Sequence, residues 1–386
     1  MSIGTVETQF FTFGSPADPF LLQCGSTLDE VTLAYETYGE LNPDRSNAIV
    51  VFHALTGNQH VAGHNPAIPA VGDRWTEELH RGWWDGFVGP GKAIDTDRFF
   101  LICANYLGGC YGSTGPASLD PSTGKPYGSA FPYLCFADMV DAHLPLLEHF
   151  GIEKLHAAVG GSTGGVMVLS LATRYPDLVD VVIPIASGTR ATPLQLIHNF
   201  EQINAIQHDP NFSGGDYYES AAPDRGLGLA RMISHKTFVS LRALEERARS
   251  EVLDHSEGPG TYRLNHVLES YMWHQGQKFV KRFDANSYLR IMHAWQTFDL
   301  AAEAGLDDLS ELFTRCKHQR YMVFSIDSDV CFYPEEQQEM VRYLDLADVP
   351  YRWITVHSDK GHDSFLVEPE LFTPHLVDTL NLGGNR

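Results

Sequence analysis

Val159-Gly160-Gly161-Ser162-Thr163-Gly164-Gly165 decides how the rest of the chain reads. A short apolar run, Leu155 to Val159, precedes it, and a helical pattern from Gly165 to Tyr175 follows, stopping before Pro176. A Gly-x-Ser-x-Gly between strand and helix is the setting of a nucleophile elbow. The turn is so tight that the serine must adopt strained backbone angles, and glycines two residues away on each side avoid collision. The hydroxyl then stands clear of the sheet, beside a helix N-terminus that favours developing negative charge. A plain glycine-rich turn or phosphate loop would share the glycines. The strand before, the helix after and the partners downstream favour Ser162 as a nucleophile.

Working outward, buried-strand runs recur at Asn47 to His53, Phe99 to Ala104, Val181 to Ala186, Tyr321 to Ile326 and Tyr351 to Val356. Continuous apolar runs of this length suit a parallel sheet covered on both faces. Helical patterns, such as Asp138 to Phe150, alternate with them, which implies βαβ units and a doubly wound, mostly parallel sheet. From about Arg190 to Arg315 the alternation stops. That section is polar, aromatic-rich and helical in pattern, notably Leu227 to Ser250 and Val267 to Phe283. The expected division is a core in two parts, 1–189 and 316–386, interrupted by a helical lid, 190–315.

The composition is that of an ordinary globular chain, with 43% hydrophobic and 20% charged residues. A net charge of −22 repels phosphate backbones and anionic lipid, so neither a nucleic-acid nor a membrane partner is expected. No apolar run is long enough to span a bilayer, and the first residues lack the basic and apolar regions of a secretory leader. A cytoplasmic setting is expected. The six cysteines form no Cys-x-x-Cys pair, and the eighteen histidines form no metal-binding ladder, so no metal is expected.

A serine hydroxyl needs a base. In this arrangement the chain order is serine, then acid, then histidine. Asp327 and Asp329 follow the Tyr321–Ile326 run, and His357 and His362 follow the Tyr351–Val356 run. Asp327 abuts its strand, whereas Asp329 lies in the following loop and can better reach an imidazole. His357 ends its strand, whereas His362 follows Gly361 in a loop. Asp329 and His362 are favoured, both just past strand C-terminal ends, where α/β sheets place their sites. An oxyanion hole needs two backbone N–H groups. Thr163, directly after the nucleophile, is one candidate, and Leu55, in the loop Phe52-His53-Ala54-Leu55-Thr56-Gly57, is the other.

Several further stretches are specific. They are Gly82-Trp83-Trp84-Asp85, Gly89-Pro90-Gly91-Lys92, Leu107 to Pro116, Thr123 to Gly128, and Gln275-Gly276 with Lys278-Phe279-Val280 and Arg282 to Leu289. With these, the chain resembles the homoserine O-acetyltransferase family of the α/β-hydrolase superfamily from about Leu33 to Leu366. The resemblance implies a Ser162–His362–Asp329 triad and ping-pong acyl transfer from acyl-CoA to the hydroxyl of homoserine, with acetyl-CoA a cosubstrate and no resident cofactor. It also implies a lid that pairs two subunits into a homodimer. Gly226-Leu227-Gly228-Leu229-Ala230-Arg231 and His362-Asp363 match the family's amino-acid-binding pattern. Arg231 would hold the substrate carboxylate and Asp363 its ammonium, as a zwitterion requires.

The chain departs from the family at four places. Thr163 replaces a usual methionine, Val166-Met167 a usual Met-Gln, Phe238 an expected tyrosine, and Ala137 a common arginine. Because Thr163 and Phe238 fall near the expected substrate, the choices between acetyl and succinyl donor and between homoserine and serine acceptor stay open. So does an esterase of the same fold, since water can discharge an acyl-serine.

Overall fold

The computed structural model describes residues 3–250, 258–260 and 262–381. Its main sheet has eight strands: β1 (Gln9–Phe13), β2 (Val31–Tyr38), β3 (Ala48–Phe52), β4 (Phe100–Ala104), β5 (Leu155–Gly161), β6 (Val179–Ile185), β7 (Arg320–Ile326) and β8 (Tyr351–Val356). Their spatial order is β1-β2-β4-β3-β5-β6-β7-β8. β2 pairs antiparallel with β1 and β4, and every other pairing in the sheet is parallel. This is the α/β-hydrolase fold. Ile49 and Val51 of β3 join the apolar layer on one face, and Val50 and Phe52 join the layer on the other. Burial on both faces is why the central strands read as unbroken apolar runs.

The sequence pattern locates β3 to β8 and misses β1 and β2. The reason is legible in β2, which carries Glu36 at a fully buried position. The Glu36 carboxylate accepts hydrogen bonds from Thr8, Tyr38 and Asn65 and pairs with Nδ1 of His60 at 2.8 Å. A charge satisfied inside the fold looks, in sequence, like a solvated residue.

Helices α1 (Phe136–Asp141) and α2 (Leu144–His149) replace the continuous helix expected from Asp138 to Phe150. Pro145 lacks an N–H and its ring collides with the carbonyl four residues earlier, so it sits in the first turn of a new helix instead. α3 (Thr163–Arg174) follows β5 directly.

Between β6 and β7 come α4 (Pro193–Gln207), α5 (Asp224–Phe238), α6 (Leu241–Ser250), α7 (Val267–Arg282), α8 (Ala285–Gln296), α9 (Leu300–Glu303) and α10 (Leu309–Thr314). α5 and α7 cross at glycine: a Cβ on Gly276 would lie 2.9 Å from the carbonyl oxygen of Gly228. The pattern from Leu227 to Ser250 suggested one helix, but the chain breaks between α5 and α6. Val239 there is extended (φ −122°, ψ 135°), and the Ser240 N–H donates to Lys360 O at 3.3 Å. The break docks the segment before His362 under the insertion. α11 (Pro334–Leu346) joins β7 to β8, and α12 (Ser364–Val367) and α13 (Pro369–Asn381) follow β8.

Candidate active site

Ser162 sits between β5 and α3 with φ 61° and ψ −131°, a left-handed φ that a side chain rarely accepts. Two contacts explain the flanking glycines. A Cβ on Gly160 would lie 2.5 Å from the carbonyl of Gly164, and a Cβ on Gly164 would lie 2.2 Å from Phe52 O. Neighbouring strand ends hold the strained residue. Its N–H donates to Ile185 O at 2.9 Å, and its carbonyl accepts from Ser187 Oγ at 2.8 Å.

Asp329 and His362 come together from the loops after β7 and β8. His362 Nδ1 lies 2.6 Å from Asp329 Oδ2, and both side chains are buried. Asp329 Oδ1 accepts the backbone N–H groups of Cys331 (2.7 Å) and Phe332 (3.0 Å), which lock the carboxylate in place. Burial pushes the His362 pKa down, but the charge and hydrogen bond of Asp329, joined by the charge of Asp363, outweigh it and hold it above the ordinary value. His362 Nε2 is buried without a hydrogen-bond partner among the described residues. It lines one cleft with Ser162.

The competing pair has its own geometry. The register aligns Ile326 with Val356, so Asp327 and His357 leave the two strands side by side. His357 Nδ1 meets Asp327 Oδ2 at 2.8 Å, but at the surface, with the His357 side chain 83% exposed. That imidazole is not among the residues lining the cleft.

Leu55 lines the same cleft, in the loop after β3. Among the described residues, neither its N–H nor that of Thr163 donates to a protein acceptor. Two free N–H groups, one before the cleft and one on the first turn of α3, are what a developing oxyanion requires.

The cleft, about 210 Å³, is completed by Trp83, Arg231, Phe238, Arg282, Asp363 and Phe365 among others. The Arg231 guanidinium lies 5.3 Å from the ring centroid of Phe238 and 5.1 Å from that of Phe279. Among the described residues, no carboxylate lies within 4.0 Å of it. Burial, then the nearby charge of Arg282, lower its pKa. Asp363 pairs instead with Arg247 of α6 at 3.7 Å. Burial raises the Asp363 pKa against the opposing charges of His362, Arg231 and Arg247. In sequence Arg247 sits in a charged surface-helix pattern with nothing to mark it as a site residue.

A serine, an imidazole backed by a carboxylate, the Leu55 loop and two arginines share one cleft, with the free Thr163 N–H directly after the serine, which suits acyl transfer. The family model of the alpha/beta hydrolase fold matches residues 47–369. The homoserine O-acetyltransferase of Rhodospirillum rubrum is 44% identical over 94% of this chain and 89% of its own length. The chain belongs to the homoserine O-acetyltransferase family. A solved homoserine O-acetyltransferase from Bacillus anthracis superposes with a TM-score of 0.85 at 26% identity, over 98% of each chain. The solved esterase E22 does so equally well, also at 0.85 and 26%, over 97% of this chain and all of its own.

Two of the departures from the homoserine O-acetyltransferase pattern touch the site. The Phe238 ring lies 6.2 Å from that of His362, centroid to centroid, and lacks the hydroxyl that a tyrosine would bring. Thr163 is fully buried, with Oγ1 unpartnered among the described residues. Of the family's other stretches, Trp83 and Arg282 line the cleft and Trp84 braces it. The Trp84 indole N–H donates to Phe365 O at 2.8 Å and pins the segment after His362.

Proposed function

We propose that the chain transfers an acetyl group from acetyl-CoA to the side-chain hydroxyl of L-homoserine, giving O-acetyl-L-homoserine for methionine biosynthesis. The observation that carries this reading is the buried Asp329–His362 pair facing Ser162 in a cleft that also holds Arg231 and Asp363. His362 Nε2 takes the Ser162 proton as Oγ attacks the thioester carbonyl, and the N–H groups of Leu55 and Thr163 receive the oxyanion. The carbon–sulfur bond breaks, the proton passes to the departing thiolate, and an acetyl ester remains on Ser162. The homoserine hydroxyl then gives its proton to His362 and attacks that ester, and Ser162 is released with the proton. Arg231 pairs with the homoserine carboxylate and Asp363 with its ammonium, which orients the hydroxyl.

A homodimer formed through the helical insertion accompanies this reading. Its support is the exposed apolar row Leu194, Ile197 and Phe200 on α4, with Leu229 on α5.

The test is incubation with acyl-CoA alone, followed by mass spectrometry. The wild-type chain gains one acyl group at Ser162, and Ser162→Ala gains none. Transfer with sequential kinetics and no adduct refutes the scheme. Acetyl-CoA and succinyl-CoA, each paired with homoserine and with serine, then rank donor and acceptor. Hydrolysis is the second reading, supported by the equal likeness to an esterase. Release of acetate at the same rate with and without homoserine selects it.

A further inference from the structure

Arg282 lines the cleft but has no part in the scheme above. It ends α7, so it belongs to the insertion, and its side chain reaches across to the core. Its Nη1 donates to Thr56 O at 3.1 Å and approaches the Tyr111 hydroxyl at 3.2 Å. The same hydroxyl donates back to the Arg282 carbonyl at 2.8 Å. Nε lies 3.5 Å from Oε1 of Glu78, and the guanidinium lies 5.2 Å from the Phe279 ring centroid. Only 14% of the side chain is exposed. A guanidinium fixed at this many points has little freedom to move toward a substrate.

Thr56 belongs to the loop that carries the free N–H of Leu55. A second carbonyl of this turn, Ala54 O, is also held. It accepts the Gly57 N–H at 2.9 Å, and His53 Nδ1 lies 2.8 Å from it. The His53 ring is buried, stacked 3.6 Å from the Tyr106 ring centroid, with Nε2 3.3 Å from Asn105 Nδ2. Burial pushes its pKa down to about 3, so the ring is neutral, Nε2 accepts from Asn105, and Nδ1 keeps the proton it donates to Ala54 O. Ala54 C=O and Leu55 N–H are two ends of one peptide unit. The residues before and after Leu55 are therefore clamped through their carbonyls, Ala54 O from the core by His53 and Thr56 O from the insertion by Arg282.

We infer that Arg282 is a positioning residue that holds the Leu55 N–H in the oxyanion hole, so that docking of the helical insertion completes the site. The inference rests on the acyl-serine scheme above. Its signature is that both half-reactions need the oxyanion hole, whereas a binding contact serves only one.

The test uses p-nitrophenyl acetate, a neutral ester that acylates the serine without coenzyme A or an acceptor. Acylation by this ester, acylation by acetyl-CoA and transfer to homoserine are measured for wild type, Arg282→Met, Arg282→Lys and Glu78→Gln. Arg282→Met should slow all three steps by a similar factor, of order 10-fold to 10²-fold, the range for a misplaced rather than a missing group. The KM for homoserine should stay within about twofold. Glu78→Gln, which removes one anchor of Arg282, should give the same pattern with a smaller factor and carries the test if Arg282→Met does not fold. Arg282→Lys, which keeps charge but loses the fork, should recover only part of the rate. If ester acylation is unchanged while acetyl-CoA acylation or homoserine transfer alone falls, Arg282 is a substrate anchor and the inference is overturned. Equal ester acylation in all four proteins overturns it too. Failure of wild type itself to form an adduct at Ser162 strikes the acyl-serine scheme instead.

Discussion

Replacing Asp329 by asparagine tests the site at its most constrained point. Asp329 Oδ1 is bound by the Cys331 and Phe332 N–H groups and Oδ2 by His362 Nδ1. In Asp329→Asn the two backbone N–H groups demand that the amide oxygen stay on their side. The amide NH2 then faces Nδ1, donor against donor. The imidazole can relieve this only by moving its proton to Nε2, the nitrogen that must accept the Ser162 proton. The substitution therefore changes almost no volume but selects the wrong tautomer and removes the charge that stabilises the imidazolium. By the same logic in other triads the expected loss in kcat is of order 10⁴, or about 5.4 kcal/mol at 1.36 kcal/mol per decade. The control is Asp327→Asn, of similar sequence context. Its pair with His357 is exposed, so a loss of no more than about 0.2–1 kcal/mol in stability is expected, with kcat within about twofold. The assay is single-turnover acylation of Ser162, with circular dichroism to confirm folding. Asp329→Asn retaining more than a tenth of wild-type acylation, or Asp327→Asn as the more damaging change, would falsify the assignment of the carboxylate.

Arg231→Ala should leave acylation by acyl-CoA within about twofold and weaken transfer to homoserine by of order 2–5 kcal/mol; slowed acylation with normal transfer would place the arginine with the donor. Acylation needs neutral His362, so its rate falls as pH drops through that raised pKa; Asp363→Asn removes one of the charges raising it, and the acid limb of acylation by p-nitrophenyl acetate should move to lower pH. A limb that moves upward contradicts this. Ile197→Glu, at an exposed apolar position of α4, tests the proposed homodimer: wild type should sediment as a dimer and the variant as a monomer; an unchanged sedimentation coefficient, or a monomeric wild type, rejects the insertion as the interface.

Much of this protein was legible in its sequence because the physics involved is local. A nucleophile elbow needs glycines at fixed offsets within one turn, and strands buried on both faces announce themselves as apolar runs. Five of the eight strands of the main sheet and the helix after Ser162 follow from those signals; β8, whose run reads as buried, is an edge strand with four of its six residues exposed. Where local pattern and tertiary satisfaction disagree, the sequence misleads. Glu36 reads as a solvated residue because three of its partners, Thr8, His60 and Asn65, come from other parts of the chain. Leu227 to Ser250 looked like one helix because nothing in the segment reveals that Ser240 is wanted by Lys360. The acid and base were narrowed by position to two aspartates and two histidines, and both pairs form, each at hydrogen-bond distance. Loop position already favours Asp329 and His362, and the structure separates the two pairs by depth. Asp327 and His357 leave aligned strand ends at the surface, while the longer loops bury Asp329 and His362 and bring His362 into the cleft that Ser162 lines. Arg247 has no mark of a site residue in the sequence, and Arg282 opens one of the specific stretches without a sign of its role, since an arginine on a helix does not reveal its neighbours. Their place is decided by how the insertion docks, a long-range packing outcome that no short window of residues encodes.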